Sequence, residues 1–272
     1  MTAIRRWGEQ LEGWAIPAEI LAAAPESPYG FPTELFRTRG ARRDEPDAPT
    51  PTTQRALERL PEGGRVLDVG CGGGATSLPL ADGAGDLVGV DAQEDMLEGF
   101  LVNASAAGTR AEAVHGRWPY VAGAIAPVDV AVAGHVLYNV ADLGPFVSEL
   151  AAAAGRRVVF ELTERHPLHW MNDLWLRFHG LERPSGPVAE DALDALAELD
   201  LDARIDRWEA APRVGGFARR ADALALARRR LCLPPSRDGE LAEALGDRLV
   251  ERGGLWSIGP PAQALATIWF DR

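Results

Sequence analysis

The sequence contains no lysine, and all 28 of its basic residues are arginine. This absence excludes the phosphate-loop NTPases, Schiff-base enzymes and lysine-dependent kinases, because each of these classes needs a lysine. The two cysteines, Cys71 and Cys232, are too few for a disulfide scaffold or a four-cysteine zinc site. No apolar run reaches the roughly 20 residues that cross a bilayer. The first residues also lack the apolar core of a signal peptide, so we expect a cytoplasmic protein without a membrane partner.

Acidic residues outnumber basic ones by 40 to 28, which gives a net charge of −12. A surface of this sign repels phosphate backbones, so nucleic acid is a poor partner. The chain has 272 residues, of which 46% are hydrophobic. That is enough to bury the core of one large α/β domain with additions.

Residues 1–50 are predicted to form an irregular N-terminal arm, because seven prolines fall between Pro17 and Pro51. Two aromatic clusters interrupt this arm, namely Trp7 with Trp14 and Tyr29 with Phe31 and Phe36. The aromatics either fasten the arm to the core or belong to a lid that closes over a ligand.

From residue 51 onward, short apolar runs alternate with helical patterns, which predicts an α/β fold with a doubly wound, mostly parallel sheet. The runs are almost continuously apolar, as burial on both faces requires. The predicted strands are Arg65–Val69, Leu87–Val90, Ala111–His115, Val128–Ala133 and Arg157–Leu162. The predicted helices among them are Thr53–Leu60, Ala75–Asp82, Gln93–Ala107 and Asp142–Ala154.

The regular alternation stops after Leu162, and helical insertions are predicted around residues 163–200 and 212–262. A single domain is therefore expected over residues 51–272. The later elements are predicted as helices Glu190–Leu199, Ala218–Leu231 and Gly239–Arg252 and as strands Ala203–Glu209 and Ala264–Phe270.

The segment that carries chemistry is VLDVGCGGG, residues 66–74, in which an apolar strand runs into four glycines. The spacing Gly70-x-Gly72-x-x-Ala75 fits a dinucleotide-binding turn. The same segment also reads Asp68-x-Gly70-x-Gly72-x-Gly74, which adds a carboxylate at the strand end. A carboxylate is unfavourable beside an anionic pyrophosphate and favourable beside an ammonium or a sulfonium. Asp68 therefore favours a cationic cofactor, although the glycines permit both.

Asp91 ends the second predicted strand, LVGVD, 17 residues after Gly74. Its carboxylate suits the two hydroxyls of a ribose, a feature that both cofactors share. The alternative is that Asp91 caps the helix predicted from Gln93, and one residue can do both.

VLDVGCGGG, then VGVD, then PVDVAVAGHVLYNV resemble, in order and spacing, the class I S-adenosylmethionine-dependent methyltransferases. The resemblance covers about residues 50–162 and implies a Rossmann-like fold that ends in an antiparallel strand. It implies S-adenosylmethionine as the cofactor and a methyl transfer, in class EC 2.1.1.-. The cofactor-binding residues that it implies are Asp68, Gly70, Cys71, Gly72, Gly74, Asp91, Ala92, Met96, Arg117, Trp118 and Gly134.

These residues have different implied roles. Asp68 and the glycine turn would hold the methionine part and Asp91 the ribose, while Ala92 and Met96 would flank the adenine. Family members often carry an acidic residue after the third strand, where this chain has HGRWP, residues 115–119. Since Arg117 cannot accept a hydrogen bond from an amino group, either backbone atoms do so or Trp118 stacks on the ring. Gly134 would lie against the cofactor.

His135 and Tyr138 are the candidate catalytic residues. A base is useful when the acceptor carries a proton, and imidazole ordinarily titrates near neutrality. The alternative for His135 is a structural hydrogen bond at the strand end. The Asn-Pro-Pro-Tyr type of motif is absent here, which argues against nucleobase or glutamine amide acceptors.

The candidate substrate-binding residues are polar and aromatic and lie in the arm or after the fourth and fifth strands, namely Tyr29, Phe31, Asn139, Glu161, His166 and Trp170. No metal site is expected, because Pro167 separates His166 from His169 and no third histidine lies in register.

The sequence thus predicts a methyltransferase that acts on a small molecule, at oxygen or nitrogen, as a monomer or homodimer. The alternatives are an NAD(P)-dependent oxidoreductase, a non-catalytic cofactor-binding module and a protein methyltransferase.

Overall fold

The computed structural model describes residues 1–29, 49–210, 216–260 and 262–272. The helices of these residues are α1 (Ala3–Glu12), α2 (Ala18–Ala23), α3 (Pro51–Leu57), α4 (Glu94–Ala106), α5 (Leu143–Ala153), α6 (Asn172–His179), α7 (Ala189–Glu198), α8 (Arg220–Arg230) and α9 (Asp238–Leu245). The strands are β1 (Gly64–Val69), β2 (Ala84–Asp91), β3 (Ala111–His115), β4 (Val128–Gly134), β5 (Ala154–Thr163), β6 (Arg204–Ala210), β7 (Leu249–Arg252), β8 (Leu255–Ile258) and β9 (Gln263–Asp271).

Seven strands form one sheet in the order β3-β2-β1-β4-β5-β9-β6. The pairs β1–β2, β2–β3, β1–β4 and β4–β5 are parallel. Strand β9 runs antiparallel to both of its neighbours, β5 and β6. The predicted doubly wound sheet with a terminal antiparallel strand is confirmed. Strand order reverses between β1 and β4, and ligands of such sheets bind in the crevice beyond the carboxyl ends of the strands at that point.

Alternate residues of the central strands face two separate apolar clusters. Leu67 and Ala131 belong to the cluster covered by α1, α5 and α7. Val66 and Val130 belong to the cluster covered by α3 and α4. Because both faces are buried, the strands read as continuous apolar runs in the sequence.

The α-helix predicted at Ala75–Asp82 is absent, and the segment contains only turns and a single 3₁₀ turn at Leu78–Leu80. Pro79 lies where the middle of that helix would be, and proline there removes a backbone donor and collides with the preceding turn. The glycine turn is therefore followed by further turns and not by the N-terminus of an α-helix.

The N-terminal arm is more regular than expected, since α1 and α2 occupy much of its described part. Trp7 is fully buried, and its indole N–H donates to the carbonyl of Val140 at 2.8 Å. Trp14 donates likewise to the carbonyl of Gly186 at 2.6 Å. These two aromatics fasten residues 1–29 to the domain, while Phe31 and Phe36 lie outside the described residues.

A third apolar cluster joins α6, α8 and α9 to side chains of α2. The helix predicted at Gly239–Arg252 is wrong beyond Leu245, because β7 pairs with β8 around Gly253 and Gly254, both of which have positive φ. The end of β6 and the start of β9 lie at the carboxyl edge of the sheet, because β9 runs antiparallel to both β5 and β6. No described helix combines the length and the apolar character that a membrane crossing requires.

Candidate active site

The glycine turn after β1 approaches the turn after β4 closely. A Cβ added at Gly70 would lie 2.5 Å from Cγ2 of Val136, and one at Gly134 would collide with the side chain of Thr76. The two turns therefore touch on either side of His135. A Cβ at Gly72, where φ is +50°, would meet nothing within 4 Å, so this glycine borders open space that a ligand can approach.

Asp68 lies near the end of β1 and is 1% exposed. One carboxyl oxygen accepts a hydrogen bond from the Ser77 hydroxyl at 2.5 Å. The other oxygen is buried and has no hydrogen-bond partner among the described residues. Burial raises the pKa of Asp68 to about 7. A cationic group that reached the second oxygen would supply the missing partner and favour the ionised form.

Asp91, at the end of β2, ties this strand to the glycine turn. Its two carboxyl oxygens accept from the backbone N–H groups of Gly72 and Gln93, each at 3.0 Å. Gln93 is itself the N-cap of α4, so the predicted capping by Asp91 is replaced by a bond to the cap residue. Each carboxylate oxygen can accept a second bond, which leaves capacity for hydroxyls.

The residues predicted beside the adenine differ in exposure. Met96 and Trp118 are buried, and the Trp118 indole donates to the carbonyl of Phe146 at 2.9 Å. Arg117 is exposed, and the carbonyl of Ala92 lies 3.1 Å from Nε2 of His115. Their roles beside the cofactor stay predictions.

Cys71 lies within the glycine turn and is buried. Burial also raises the pKa of its thiol, which makes it a poor nucleophile. This agrees with its interpretation as a small buried residue of the turn.

His135 follows β4 with φ of +59°, in the left-handed region that a residue with a Cβ rarely adopts. Its N–H donates to the carbonyl of Glu161 at 2.6 Å. Its Nε2 is buried 3.1 Å from Oε1 of the same residue, but the contact does not have hydrogen-bond geometry, and Nε2 has no hydrogen-bond partner among the described residues. Strained backbone of this kind concentrates at functional sites. The imidazole is partly exposed, whereas Glu161 is 8% exposed.

Behind Glu161 lies a group of buried polar side chains. The hydroxyl of Thr52, from α3, donates to Oε2 of Glu161 at 2.7 Å. Thr52 also lies 2.7 Å, oxygen to oxygen, from Thr267 of β9. The indole of Trp208, from β6, donates to the Thr267 hydroxyl at 3.0 Å. Three different elements thus support one carboxylate of β5.

Tyr138 makes packing and hydrogen-bond contacts that the sequence analysis did not predict. Its hydroxyl donates to the carbonyl of Thr163 at 2.7 Å, and its ring stacks on Trp7 with the centroids 5.4 Å apart. Burial raises the pKa of the phenol above its ordinary value. The side chain thus has a packing role and its proton serves the backbone, while its catalytic role stays a prediction.

His166 lies between two aromatic rings. It stacks on Trp14 with the centroids 3.7 Å apart and meets Tyr138 edge-on at 5.4 Å. Burial lowers the pKa of His166 to about 3, so the ring is neutral near neutral pH. The stack connects the N-terminal arm to the region beyond β5.

The remaining predicted substrate-binding residues are scattered. Asn139 is exposed on the 3₁₀ turn Leu137–Asn139, and Tyr29 is 57% exposed. The ring of Trp170 lies 5.9 Å from the Arg248 guanidinium. Phe31 lies outside the described residues. No group of three or more potential metal ligands occurs in the described ranges.

Part of the chain is similar to known proteins. Residues 66–155 match the sequence family described as "Methyltransferase domain". These residues run from β1 to the start of β5 and include the glycine turn and His135. Over 93 residues the chain is 40% identical to the ubiquinone biosynthesis O-methyltransferase of Azorhizobium caulinodans, an alignment that covers 34% of this chain and 36% of that relative. The match thus spans about a third of the relative's length.

Solved structures share the fold of this chain. The YcgJ protein of Bacillus subtilis has a TM-score of 0.51 at 17% identity, over 81% of this chain and 97% of that chain. A protein of Bacillus halodurans C-125 has a TM-score of 0.51 at 15% identity, over 80% and 97% of the two chains.

S-adenosylmethionine is the cofactor that the resemblance in the sequence implies, and the described residues fit it. Asp68 offers a buried carboxyl oxygen without a partner to a positively charged group, and Gly72 leaves the turn open to a ligand. The match of residues 66–155 to a methyltransferase domain favours this cofactor over the alternative of NAD(P).

Sequence reasoning missed the contributions of Thr52, Thr267 and Trp208. Threonine and tryptophan are ordinary in a helix start or a strand, and nothing in their local patterns points to a shared carboxylate. The signal was present only for Glu161, as an acidic residue inside an apolar strand.

Proposed function

We propose that this chain transfers the methyl group of S-adenosylmethionine to an oxygen or nitrogen atom of a small-molecule acceptor. The observation that carries the proposal is the pairing of His135 with Glu161 beside the glycine turn. The imidazole lies at the crevice between β1 and β4, and a buried carboxylate faces its Nε2 at 3.1 Å. A base at this point is useful for an acceptor atom that must lose a proton.

The proton positions follow from the charge beside the imidazole. A carboxylate 3.1 Å from Nε2 repels a nitrogen lone pair and attracts an N–H group, so it favours hydrogen on Nε2 and leaves Nδ1 as the proton acceptor. S-adenosylmethionine supplies an electrophilic methyl group on a positively charged sulfur, which leaves as a neutral thioether. The acceptor atom bonds to the methyl carbon and gives its proton to His135. Glu161 then faces an imidazolium, whose charge it stabilises.

The carboxylates on the other side of the crevice hold the donor. Asp68 binds its cationic methionine end, and Asp91 binds the ribose hydroxyls while it fixes Gly72.

The choice of a small molecule and of oxygen or nitrogen has two supports. A net charge of −12 disfavours a polyanionic acceptor such as nucleic acid. The partial relative bears the name of an O-methyltransferase of ubiquinone biosynthesis.

The proposal is tested in two steps. Calorimetry should detect binding of S-adenosylhomocysteine and no binding of NAD or NADP. Methyl-labelled S-adenosylmethionine is then incubated with a panel of small phenols, alcohols, amines and carbon acids, and the products are read by mass spectrometry. Labelling of phenols, alcohols or amines that is lost in His135→Ala supports the proposal, whereas labelling only of carbon acids or of added proteins overturns it.

A further inference from the structure

A line of buried hydrogen bonds runs from the edge of the sheet to the proposed base. It begins at Trp208 on β6, passes through Thr267 on β9 and Thr52 on α3, and ends at Oε2 of Glu161. The successive separations are 3.0, 2.7 and 2.7 Å. Thr52 and Thr267 are 3% and 0% exposed, so water is excluded from their hydroxyls.

The direction of every bond in this line is fixed by its two ends. An indole N–H can only donate, and a carboxylate can only accept. The Trp208 proton therefore goes to Thr267, the Thr267 proton to Thr52, and the Thr52 proton to Glu161. Three protons make three bonds, and none is left over.

A proton on Oε2 of Glu161 would break this count. Four protons would then compete for three bonds, and one threonine hydroxyl would keep a hydrogen without an acceptor in a site closed to water. An unsatisfied buried polar group is costly. Aligned hydrogen bonds also polarise one another, so the line favours negative charge on the carboxylate.

We propose that Thr52, Thr267 and Trp208 are positioning residues that keep Glu161 ionised and thereby hold His135 in the tautomer with hydrogen on Nε2. The proposal rests on the role proposed for His135 as the base. The three residues touch neither donor nor acceptor, and they act through Glu161 alone.

Thr52→Val removes the hydroxyl at nearly constant volume, and Thr52→Ser restores it. Thr53→Val is the matched control, because Thr53 is a buried neighbour in the same helix whose hydroxyl lies 3.1 Å from that of Thr50 instead of near Glu161. The tautomer of His135 is read directly from the ¹⁵N chemical shifts of histidine-labelled protein without any substrate. This readout is independent of turnover.

In Thr52→Val we expect a loss of the Nε2–H tautomer and a fall in kcat of about 10-fold, with the KM for S-adenosylmethionine unchanged. Glu161 should also take up a proton at higher pH, so the acid limb of the pH–rate profile should move upward. Thr52→Ser should restore all three, and Thr53→Val should leave them at wild-type values. Trp208→Phe should have a smaller effect in the same direction, because it removes only the first donor of the line.

Equal behaviour of Thr52→Val and Thr53→Val in the ¹⁵N spectrum would overturn the proposal, as would a failure of Thr52→Ser to restore the tautomer. If Thr52→Val does not fold, Thr267→Val and Trp208→Phe decide by the same spectra. A tautomer change without any methyl transfer would support the hydrogen-bond line and reject the proposed function. Methyl transfer that depends on His135 but not on Thr52 would do the reverse.

Discussion

Asp68 and Glu161 are both buried carboxyl groups near the carboxyl edge of the parallel sheet, but the chain surrounds them differently. Asp68 has one hydroxyl partner, Ser77, and a second oxygen that no described residue satisfies. Glu161 has a threonine hydroxyl on one oxygen and the His135 imidazole 3.1 Å from the other. Burial raises the pKa of Asp68 to about 7.

The difference indicates two uses of a buried carboxylate. A buried charge is costly unless it is partnered. The chain leaves Asp68 short of a partner, so a cation from outside gains by binding there. The chain supplies the partners of Glu161 itself, so that group is ready to orient a base before any ligand arrives.

Removal of the base is the largest change that the acceptor side allows. We expect His135→Ala to lower turnover by about 10²–10⁴-fold, since this is the usual contribution of a general base. The affinity for S-adenosylhomocysteine, measured by calorimetry, should stay unchanged. His115→Ala is the control, because that histidine is exposed and lies at the end of β3. Full activity of His135→Ala would return His135 to a purely structural role.

Asp68→Asn makes the two carboxyl sites more alike by removing the unpartnered charge. We expect the affinity for S-adenosylhomocysteine to fall by about 2–4 kcal/mol, because a charge-assisted contact is lost. The stability of the ligand-free protein should instead increase. A raised pKa in the folded state means that stability is lost as pH rises from about 4 to about 7.

At pH 8, free Asp68→Asn should therefore be more stable than the wild type by about 2–4 kcal/mol in urea unfolding. Asp129→Asn, on the opposite edge of the sheet, is the control. It should show neither the fall in ligand affinity nor the gain in stability. A less stable Asp68→Asn would contradict the picture of an unpartnered charge.

Asp91 tests whether the donor side depends on more than one carboxylate. Asp91→Ala should weaken the binding of S-adenosylhomocysteine by about 1–3 kcal/mol, through lost hydrogen bonds to the ligand and to the N–H of Gly72. Asp91→Asn keeps one acceptor oxygen and should lose less. Calorimetry that showed equal affinity in all three proteins would remove Asp91 from the site.

His166 gives the smallest expected effect and tests whether this histidine makes the folded protein less stable in acid. Its pKa is about 3 in the folded protein, below the ordinary histidine value of 6.5. The unfolded chain therefore takes up a proton first, and stability falls as pH drops below 6.5. At pH 5.5 the loss should be about 1–1.5 kcal/mol relative to pH 7.5.

His166→Phe keeps an aromatic ring beside Trp14 and removes the titration. Urea unfolding at pH 7.5 and 5.5 should show a smaller loss of stability in His166→Phe than in the wild type. The same pH dependence in both proteins would show that His166 does not resist protonation in its stack.

Much of the fold follows from local patterns. The parallel strands and the helices Gln93–Ala107 and Asp142–Ala154 were predicted within a few residues of their observed bounds, because burial on two faces leaves continuous apolar runs. The failures came where local rules compete. The helix predicted at Ala75–Asp82 contains Pro79, and the helix predicted at Gly239–Arg252 runs through Gly246, where φ is +51°.

The donor side of the crevice is a local property of the sequence, since Asp68, the glycines and Asp91 lie within 24 residues and two neighbouring strands hold them together. The acceptor side depends on contacts between distant parts of the chain. Thr52 and Thr267 are separated by 215 residues, and their hydroxyls meet only because α3 packs beside β9. A hydrogen bond requires its two groups within about 3 Å, and over such chain separations the packing of the folded sheet alone supplies that distance.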